Sequence, residues 1–450
     1  MKNPLAMESF ATKIGNKIKT KKENVEIVKA GFCRAHMVAM NNAIPICAQA
    51  CSCCWDKVPP EDYEGMATYV GKRTKIGHTS VLEHSNFVVL VDIHKNYEDE
   101  LLEFLTTVRY LNTEIMIDDP INTIKLLIGG SLRGFADLYL AARNLSNPAL
   151  AAITSVLYTY APSAAFEDIC NLGYLEKELF VDAIPQSEHN YIIGSENRLE
   201  FEKFDIVGYD SIEKLHKNIY NISPSFAQSM TLFDLIKFST ISVMFKDMSR
   251  TCTHQLVRHR NAITQESQRY VDYSKSAFAS PDEFKPEKYD SNHKYKVRFG
   301  PSPVMNLTLK EIGEATCGIY GMLSNPALTG SAALLKEDAR AFLPSNVKCR
   351  KIYVTFTYKN LLKFLYLRED PAAQAEIRSF ATALGDWVRE NIKEFNTKEL
   401  CDLYTKSRIE VFNATEGETF ATEEEIVEEE VTPTEEDYAK FAGIADEENE

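Results

Sequence analysis

Between Gln255 and Tyr270 the chain places three arginines, one histidine, two aliphatic hydroxyls and four side-chain amides in sixteen residues. No core strand or helix can bury that density of polar groups without a partner for each. The segment therefore has to lie where a ligand or solvent can meet it. Guanidinium groups offer fixed, paired N–H donors, a geometry suited to phosphate and to the carbonyl edge of a planar ring. Residues 247–257 read as a helix running into this segment, which sets His254 with Arg258, and Gln255 with His259, on shared faces. Beyond it, Arg258, His259 and Arg260 point to different sides of a loop and can serve two ligands back to back.

The patterning on either side predicts a mixed fold. Residues 25–28 could start a strand, 63–75 suit a helix, and 87–93 are β-branched enough for a buried strand. From 94 to 231 a series of helices is expected, over 98–110, 133–143, 148–158 and 164–183, each with apolar residues at three-to-four spacing. Asp118-Asp119-Pro120 and Gly129-Gly130 punctuate them. Residues 235–245 read as a strand, with Ile236, Phe238, Thr240, Ser242 and Met244 on one face and Leu235, Lys237, Ser239, Ile241, Val243 and Phe245 on the other. Further helices are expected at 307–324, at 331–343 (stopped by Pro344), at 359–367 and at 371–395, with a strand at 351–357. No fixed-period repeat is visible.

Charge has to be located before it means anything. The net charge is −15, but residues 415–450 hold fifteen acidic side chains against Lys440 alone. The body is near neutral, so no broad nucleic-acid surface is expected. The Glu/Thr-rich tail from 413 to 450 is too polar to bury a core, and disorder is its expected state. Ten cysteines lack the spacing of a secreted disulfide framework. The basic N-terminus has no apolar signal core, and no run is long enough to span a membrane. A reducing, cytoplasmic setting is expected, with no membrane partner.

Five ordered motifs resemble the flavin-dependent thymidylate synthase (ThyX) family. They are Gly77-His78-Thr79-Ser80-Val81-Leu82-Glu83-His84, then Ser249-Arg250 with Gln255 before Arg258-His259-Arg260, then Gln265-Glu266-Ser267-Gln268-Arg269-Tyr270, then Glu337-Asp338-Ala339-Arg340-Ala341-Phe342-Leu343-Pro344, and finally Phe364-Leu365-Tyr366-Leu367-Arg368 with Ala373-Gln374-Ala375-Glu376-Ile377-Arg378. The resemblance implies an α+β fold, an antiparallel sheet flanked by helices. Here it would carry a large, mostly helical insertion and the acidic tail. The expected domains are 25–95 and 232–412 as two parts of one synthase-like domain, 96–231 as the insertion, and 413–450 as the tail.

The same resemblance implies the chemistry: methylation of dUMP to dTMP, with methylenetetrahydrofolate as carbon donor, reduced FAD as hydride source and NADPH as reductant of the flavin. It implies a homotetramer with sites between subunits. Gln255, Arg258, Gln265, Ser267, Arg269, Arg340 and Arg368 would bind dUMP. Arg368 would be catalytic at the uracil edge, stabilising charge that develops on the ring. His78, Ser80, Arg258, His259, Arg260, Thr357, Lys359 and Lys363 would meet FAD.

The chain departs from the family pattern in three places. Six residues separate Arg260 from Ser267, one fewer than usual. Thr357, Lys359 and Lys363 replace the usual Asn and Arg on the flavin side. The segment 96–231 separates the two family blocks. A non-catalytic nucleotide-binding relative, or a methyltransferase acting on a related pyrimidine nucleotide, are the alternatives these changes leave open. Ser131 and Arg133, after Gly129-Gly130, could reach the flavin or folate pocket or simply start a helix. Cys47, Cys51, Cys53 and Cys54 lack zinc-finger spacing and read as small-residue packing, so no metal is expected. His78, Glu83 and His84 fit no metallohydrolase spacing, and Glu83 and His84 read as structural hydrogen-bonding groups.

Overall fold

The computed structural model describes residues 33–55, 57–95, 111–118, 123–135, 137, 194, 198–298, 300–396 and 400. The expectations at 25–28, 98–110, 148–158, 164–183 and in the tail lie outside them. In chain order the elements are β1 (Cys33–Met40), α1 (Ala43–Trp55), α2 (Tyr63–Lys75), a 3-10 turn (Thr79–His84), β2 (Phe87–His94), β3 (Leu111–Asp118), β4 (Thr123–Gly130), β5 (Leu199–Glu200) and β6 (Phe204–Tyr209). There follow α3 (Ile212–Ile222), α4 (Leu232–Phe238), β7 (Thr240–Ser249), α5 (Arg250–Leu256), β8 (Ala262–Gln265), the hairpin β9 (Tyr295–Val297) and β10 (Met305–Leu307), α6 (Leu309–Leu323), β11 (Lys348–Thr357), α7 (Tyr358–Glu369) and α8 (Ala375–Asn391).

Two antiparallel sheets carry these elements, one in the order β1-β2-β4-β3 and one in the order β5-β6-β7-β11-β8. The class is α+β. In the second sheet β11 lies between β7 and β8, pairing Phe356 with Ile241, Ile352 with both Phe245 and Gln265, and Tyr353 with Thr264. Side chains alternate along a strand, so this register sorts the sheet into two faces. One face carries Ile241, Val243, Phe245, Ile352, Val354 and Phe356, and α7 and α8 cover it. Phe245 meets Phe364 of α7 at 6.5 Å and Phe380 of α8 at 6.0 Å between ring centroids. Helix α8 turns Ile377, Phe380, Ala381, Leu384 and Val388 inward, the i, i+3, i+4, i+7 stripe of a core-facing helix.

The other face is polar where it meets the 3-10 turn. His84 is fully buried, its two ring nitrogens hydrogen-bonded to Thr355 Oγ1 at 2.9 Å and Thr264 Oγ1 at 3.0 Å. Burial lowers its pKa to about 3, so it sits as a neutral bracket between β8 and β11. Cys53 of α1 adds a hydrogen bond from its thiol to the Thr264 carbonyl at 3.3 Å.

Several expectations are corrected. The helical run expected from 94 onwards contains strands: β3 and β4 form a hairpin, and β4 pairs with β2 across the boundary drawn at 95. Their Ile115, Ile124 and Ile128 suit a sheet, and β3 ends at Asp118, the first residue of the expected punctuation. Residues 235–245 do not form one strand. A capping box, Thr231 with Asp234, starts α4, and β7 begins only at Thr240. The face assignment for 241–245 holds. The expected helix at 247–257 starts at Arg250 because Ser249 caps it. At 331–343 only Lys336–Ala339 is α-helical, followed by a 3-10 turn at Arg340–Phe342. The elements expected at 63–75, 87–93, 307–324, 351–357 and 359–367 are present within a few residues, and the one expected at 371–395 is the shorter α8.

Phe245 is fully buried where β7, α7 and α8 meet. Its replacement by Ala should lower the unfolding free energy by about 3–5 kcal/mol, from lost transfer energy plus the residual cavity. A denaturant titration checks this, and a loss below about 1 kcal/mol would contradict the packing described.

Candidate active site

The arginine segment is held at both ends. Glu376 of α8 accepts from Ser249 N at 2.7 Å and from Ser249 Oγ at 2.6 Å, while Ser249 Oγ accepts from Cys252 N at 3.0 Å. That fixes the start of α5. Strands β7 and β8 both run antiparallel to β11 and hence parallel to each other, so the chain must cross over β11 to join them. Helix α5 makes that crossing and tightens into a 3-10 turn at Val257–His259. Arg260 then takes a left-handed conformation, φ 54 and ψ 44, which turns the chain into β8.

Four residues converge on this face through one network. Arg368, in the last turn of α7, donates from Nε to His259 Nε2 at 3.0 Å and from Nη1 to Gln255 Oε1 at 3.5 Å. Gln255 Nε2 donates in turn to Gln374 Oε1. The His259 ring stands edge-on to Phe364 at 5.2 Å. Burial, with Arg368 and Lys363 nearby, lowers the His259 pKa to about 4, so the ring is neutral and can accept the arginine's proton donor. Gln265 faces the same side, its Nε2 donating to Thr253 Oγ1 of α5 at 3.0 Å and to Cys349 Sγ at 3.1 Å. Among the described residues Arg258, Arg260, Lys359, Lys363 and Arg368 make no ion pair with a carboxylate, which suits the site to an anion.

A second group forms past β8. Glu266 is 1% exposed and accepts from Tyr273 Oη at 3.0 Å, Arg350 N at 3.0 Å and Arg350 Nε at 2.8 Å. That anchorage fixes the chain where the segment is one residue short. Ser267 N then donates to the Cys54 carbonyl at 3.3 Å, and Ser267 Oγ accepts from Arg269 N at 3.2 Å. Arg269 pairs with Glu337 at 3.1 Å, and Arg340 Nε donates to the Glu337 carbonyl at 3.0 Å. The next residue, Tyr270, stacks on Trp55 with centroids 4.4 Å apart and planes 15° apart. His78 meets the edge of that indole at 5.3 Å, and the Arg73 guanidinium lies 4.5 Å over it.

Five of the seven expected dUMP residues thus fall into two hydrogen-bonded groups, Gln255 with Arg368, and Ser267 with Arg269 and Arg340; Gln265 bonds Thr253 and Cys349, and Arg258, like Arg260, is exposed. Of the expected FAD residues, His259 and Lys363 adjoin the first group and His78 adjoins the second. Ser80 is exposed on the 3-10 turn. Thr357 caps α7, accepting from Asn360 N at 3.2 Å, and the Lys359 ammonium lies 5.2 Å from the Phe233 ring centroid. Ser131 accepts from Gly134 N at 3.2 Å, and Arg133 pairs with Glu83; both contacts suit a helix start braced against the 3-10 turn. The cysteines of α1 are free, and no metal-holding group of three or more His, Cys, Asp or Glu occurs among the described residues. Asn261, Glu266, Trp55, Arg73, Glu337 and Gln374 were assigned no role from sequence. The first two lie inside the arginine segment, whereas the other four reach the site only through the fold.

Residues 226–392 match the family described as thymidylate synthase complementing protein. A flavin-dependent thymidylate synthase of Nitratidesulfovibrio vulgaris is 34% identical over 160 residues, covering 35% of this chain and 60% of that protein. One from Thermococcus onnurineus is 32% identical over 164 residues, covering 35% and 57%. The chain spans less than two thirds of the length of these curated relatives. A Helicobacter pylori thymidylate synthase X solved with FAD and dUMP is 16% identical, covering 41% of this chain and 92% of that one, with a TM-score of 0.29.

Because the folded His259 pKa lies below its unfolded value near 6.5, the unfolded chain binds the proton more readily. The stability tied to this group is therefore lost as pH falls from about 6.5 to about 4. An NMR titration should show His259 neutral down to about pH 4, and Arg368→Ala should raise that midpoint by removing a neighbouring cation. An unchanged midpoint would mean the two side chains do not interact.

Proposed function

We propose that this chain, which belongs through residues 226–392 to the family of flavin-dependent thymidylate synthases, methylates dUMP to dTMP with methylenetetrahydrofolate as carbon donor. The observation that carries the reading is the Arg368 network. A guanidinium held by a neutral histidine and an amide keeps its full charge and presents a fixed face, and nothing acidic neutralises it. Placed at the uracil edge, it stabilises negative charge as the ring carbon becomes nucleophilic, and stabilisation that grows toward the transition state is what accelerates a reaction. Arg258, Ser267, Arg269 and Arg340 would take the phosphate and sugar, with Gln255 and Gln265 as flanking amides.

The residues present also fit FAD. Among the described residues Arg258, Arg260, Lys359 and Lys363 have no carboxylate partner, which matches a diphosphate, and the Asn261 amide is buried with neither polar atom bonded. His78, Ser80, His259 and Thr357 complete the set. When bound, reduced FAD supplies the hydride and NADPH restores it. The protein's share is to orient the pyrimidine, hold its charge and keep His259 unprotonated.

We assign the active form to a homotetramer with sites between subunits. Two observations support this. Five of the expected dUMP residues divide into two groups, and each group adjoins exposed apolar side chains: Val257 (42% exposed) and Leu367 (42%) in the first, Leu335 (66%) and Phe342 (50%) in the second. Apolar exposure of that kind beside binding residues suits contact with a second copy. Residues 96–231 are placed as an elaboration of the family domain. The free cysteines suit a reducing, cytoplasmic setting.

Purified protein supplied with FAD, NADPH, methylenetetrahydrofolate and dUMP should form dTMP and show a flavin spectrum that NADPH bleaches. Arg368→Ala should lower kcat/KM by about a hundredfold or more. dUMP binding without flavin absorbance or dTMP would instead identify a non-catalytic relative.

A further inference from the structure

Asn261 sits in the middle of the arginine segment, between the left-handed Arg260 and the first residue of β8. Its Nδ2 and Oδ1 are both buried, and neither has a hydrogen-bond partner among the described residues. A buried amide with donor and acceptor both unmade destabilises a fold unless a ligand or water completes it, and Asn261 is the one side chain among the described residues with both a donor atom and an acceptor atom left so. The residue before it adds an independent sign. Arg260 holds φ 54, a conformation that a long side chain rarely adopts and that concentrates at ligand sites. Without that turn the chain would not leave the 3-10 turn in the direction that sets the Asn261 amide.

We infer that Asn261 is a ring-reading residue that binds the imide edge of a planar ligand, its Oδ1 accepting from the ring N–H while its Nδ2 donates to the adjacent ring carbonyl. The inference rests on the function proposed above and names a further residue of that site. The chemistry selects the ligand class. A primary amide carries one acceptor and one donor side by side, the complement of O=C–N–H. Adenine could also meet an amide, but its amino group carries partial positive charge. Arg258 and Arg260 both precede this position within three residues, and two cations there favour a carbonyl-rich edge over an amino donor. Uracil and the pyrimidine ring of flavin share that edge, so the test has to separate them.

Full-length wild type, Asn261→Leu and Asn261→Asp would each be titrated with FMN, dUMP and AMP, and melted without ligand. Leu matches the amide in size and removes the unmet groups, so its ligand-free melting temperature should equal or exceed wild type. Its affinity for one imide ligand should fall at least tenfold, with AMP unchanged. Loss toward FMN alone would assign the amide to flavin, and loss toward dUMP alone to uracil. Asn261→Asp, nearly isosteric, keeps the acceptor but turns the donor into a second acceptor, and should weaken the same ligand at neutral pH. Wild-type affinity for both imides in both variants would overturn the inference, as would a loss confined to AMP. If wild type binds neither FMN nor dUMP, the proposed function falls first and the inference with it.

Discussion

Strand β11 is the element on which the site depends. It pairs with β7 from Lys348 to Thr357 on one side and with β8 from Ile352 to Thr355 on the other. Shifting β11 by a single residue would exchange its faces, taking Phe356 out of the aromatic cluster with Phe364 and moving Thr355 away from His84. The aromatic face fixes the height of α7, and α7 carries Arg368. The polar face fixes β8 through Thr264, and β8 leads directly into Ser267 and Arg269. Each group of expected ligand residues is thus referred to β11 by its own route.

Electrostatics explain why the arginine segment needs this support. Arg258 and Lys363 lie near Arg368 and His259, and among the described residues none of these three cations pairs with a carboxylate, so the fold holds like charges close together. A carboxylate within reach would relieve that repulsion and compete with any anionic ligand. Buried carboxylates are present nearby, but they are spent elsewhere: Glu266 on Arg350 and Tyr273, Glu376 on Ser249. Both positions anchor backbone, and both lie outside the cationic cluster. His259 follows the same logic. Protonated, it would repel Arg368; neutral, it accepts the hydrogen bond that orients the guanidinium.

Much of this was legible in residue patterns. The alternation of Ile241, Val243 and Phe245 against Ser242 and Met244 identified the two faces of β7, and Tyr63–Lys75 stood out as a helix. The converging roles of Gln255, His259 and Arg368 came from ordered motifs rather than from periodicity. What patterns could not show depends on long-range partners. Leu232–Phe238 has enough apolar residues to continue the strand after it, and only the Thr231–Asp234 cap makes it a helix. The β3–β4 hairpin went unseen because β4, buried on both faces over residues 126–129, loses its alternation, while the segments around the hairpin carry apolar residues at three-to-four spacing. Trp55 lies at the end of a cysteine-rich helix with nothing local to suggest that Tyr270 stacks on it.

That hairpin bears on the surroundings of Lys359 more directly than its position in sequence suggests. Asn112 of β3 donates to the Lys237 carbonyl at 3.1 Å, and Glu114 pairs with the Lys237 ammonium. Lys237 and Lys359 in turn lie 4.8 and 5.2 Å from the Phe233 ring centroid. The ring's negative face is shared between two ammonium groups, one tethered to the hairpin and one left without a carboxylate. A lysine at 359 can therefore be held near its place without the fork of an arginine. The adjoining Gly129 gives this arrangement its tolerance limit: a Cβ there would collide with the Phe238 ring on α4, so hairpin and helix can approach only because that position is glycine. The β3–β4 hairpin thus braces α4, the helix that carries Phe233 beside Lys359.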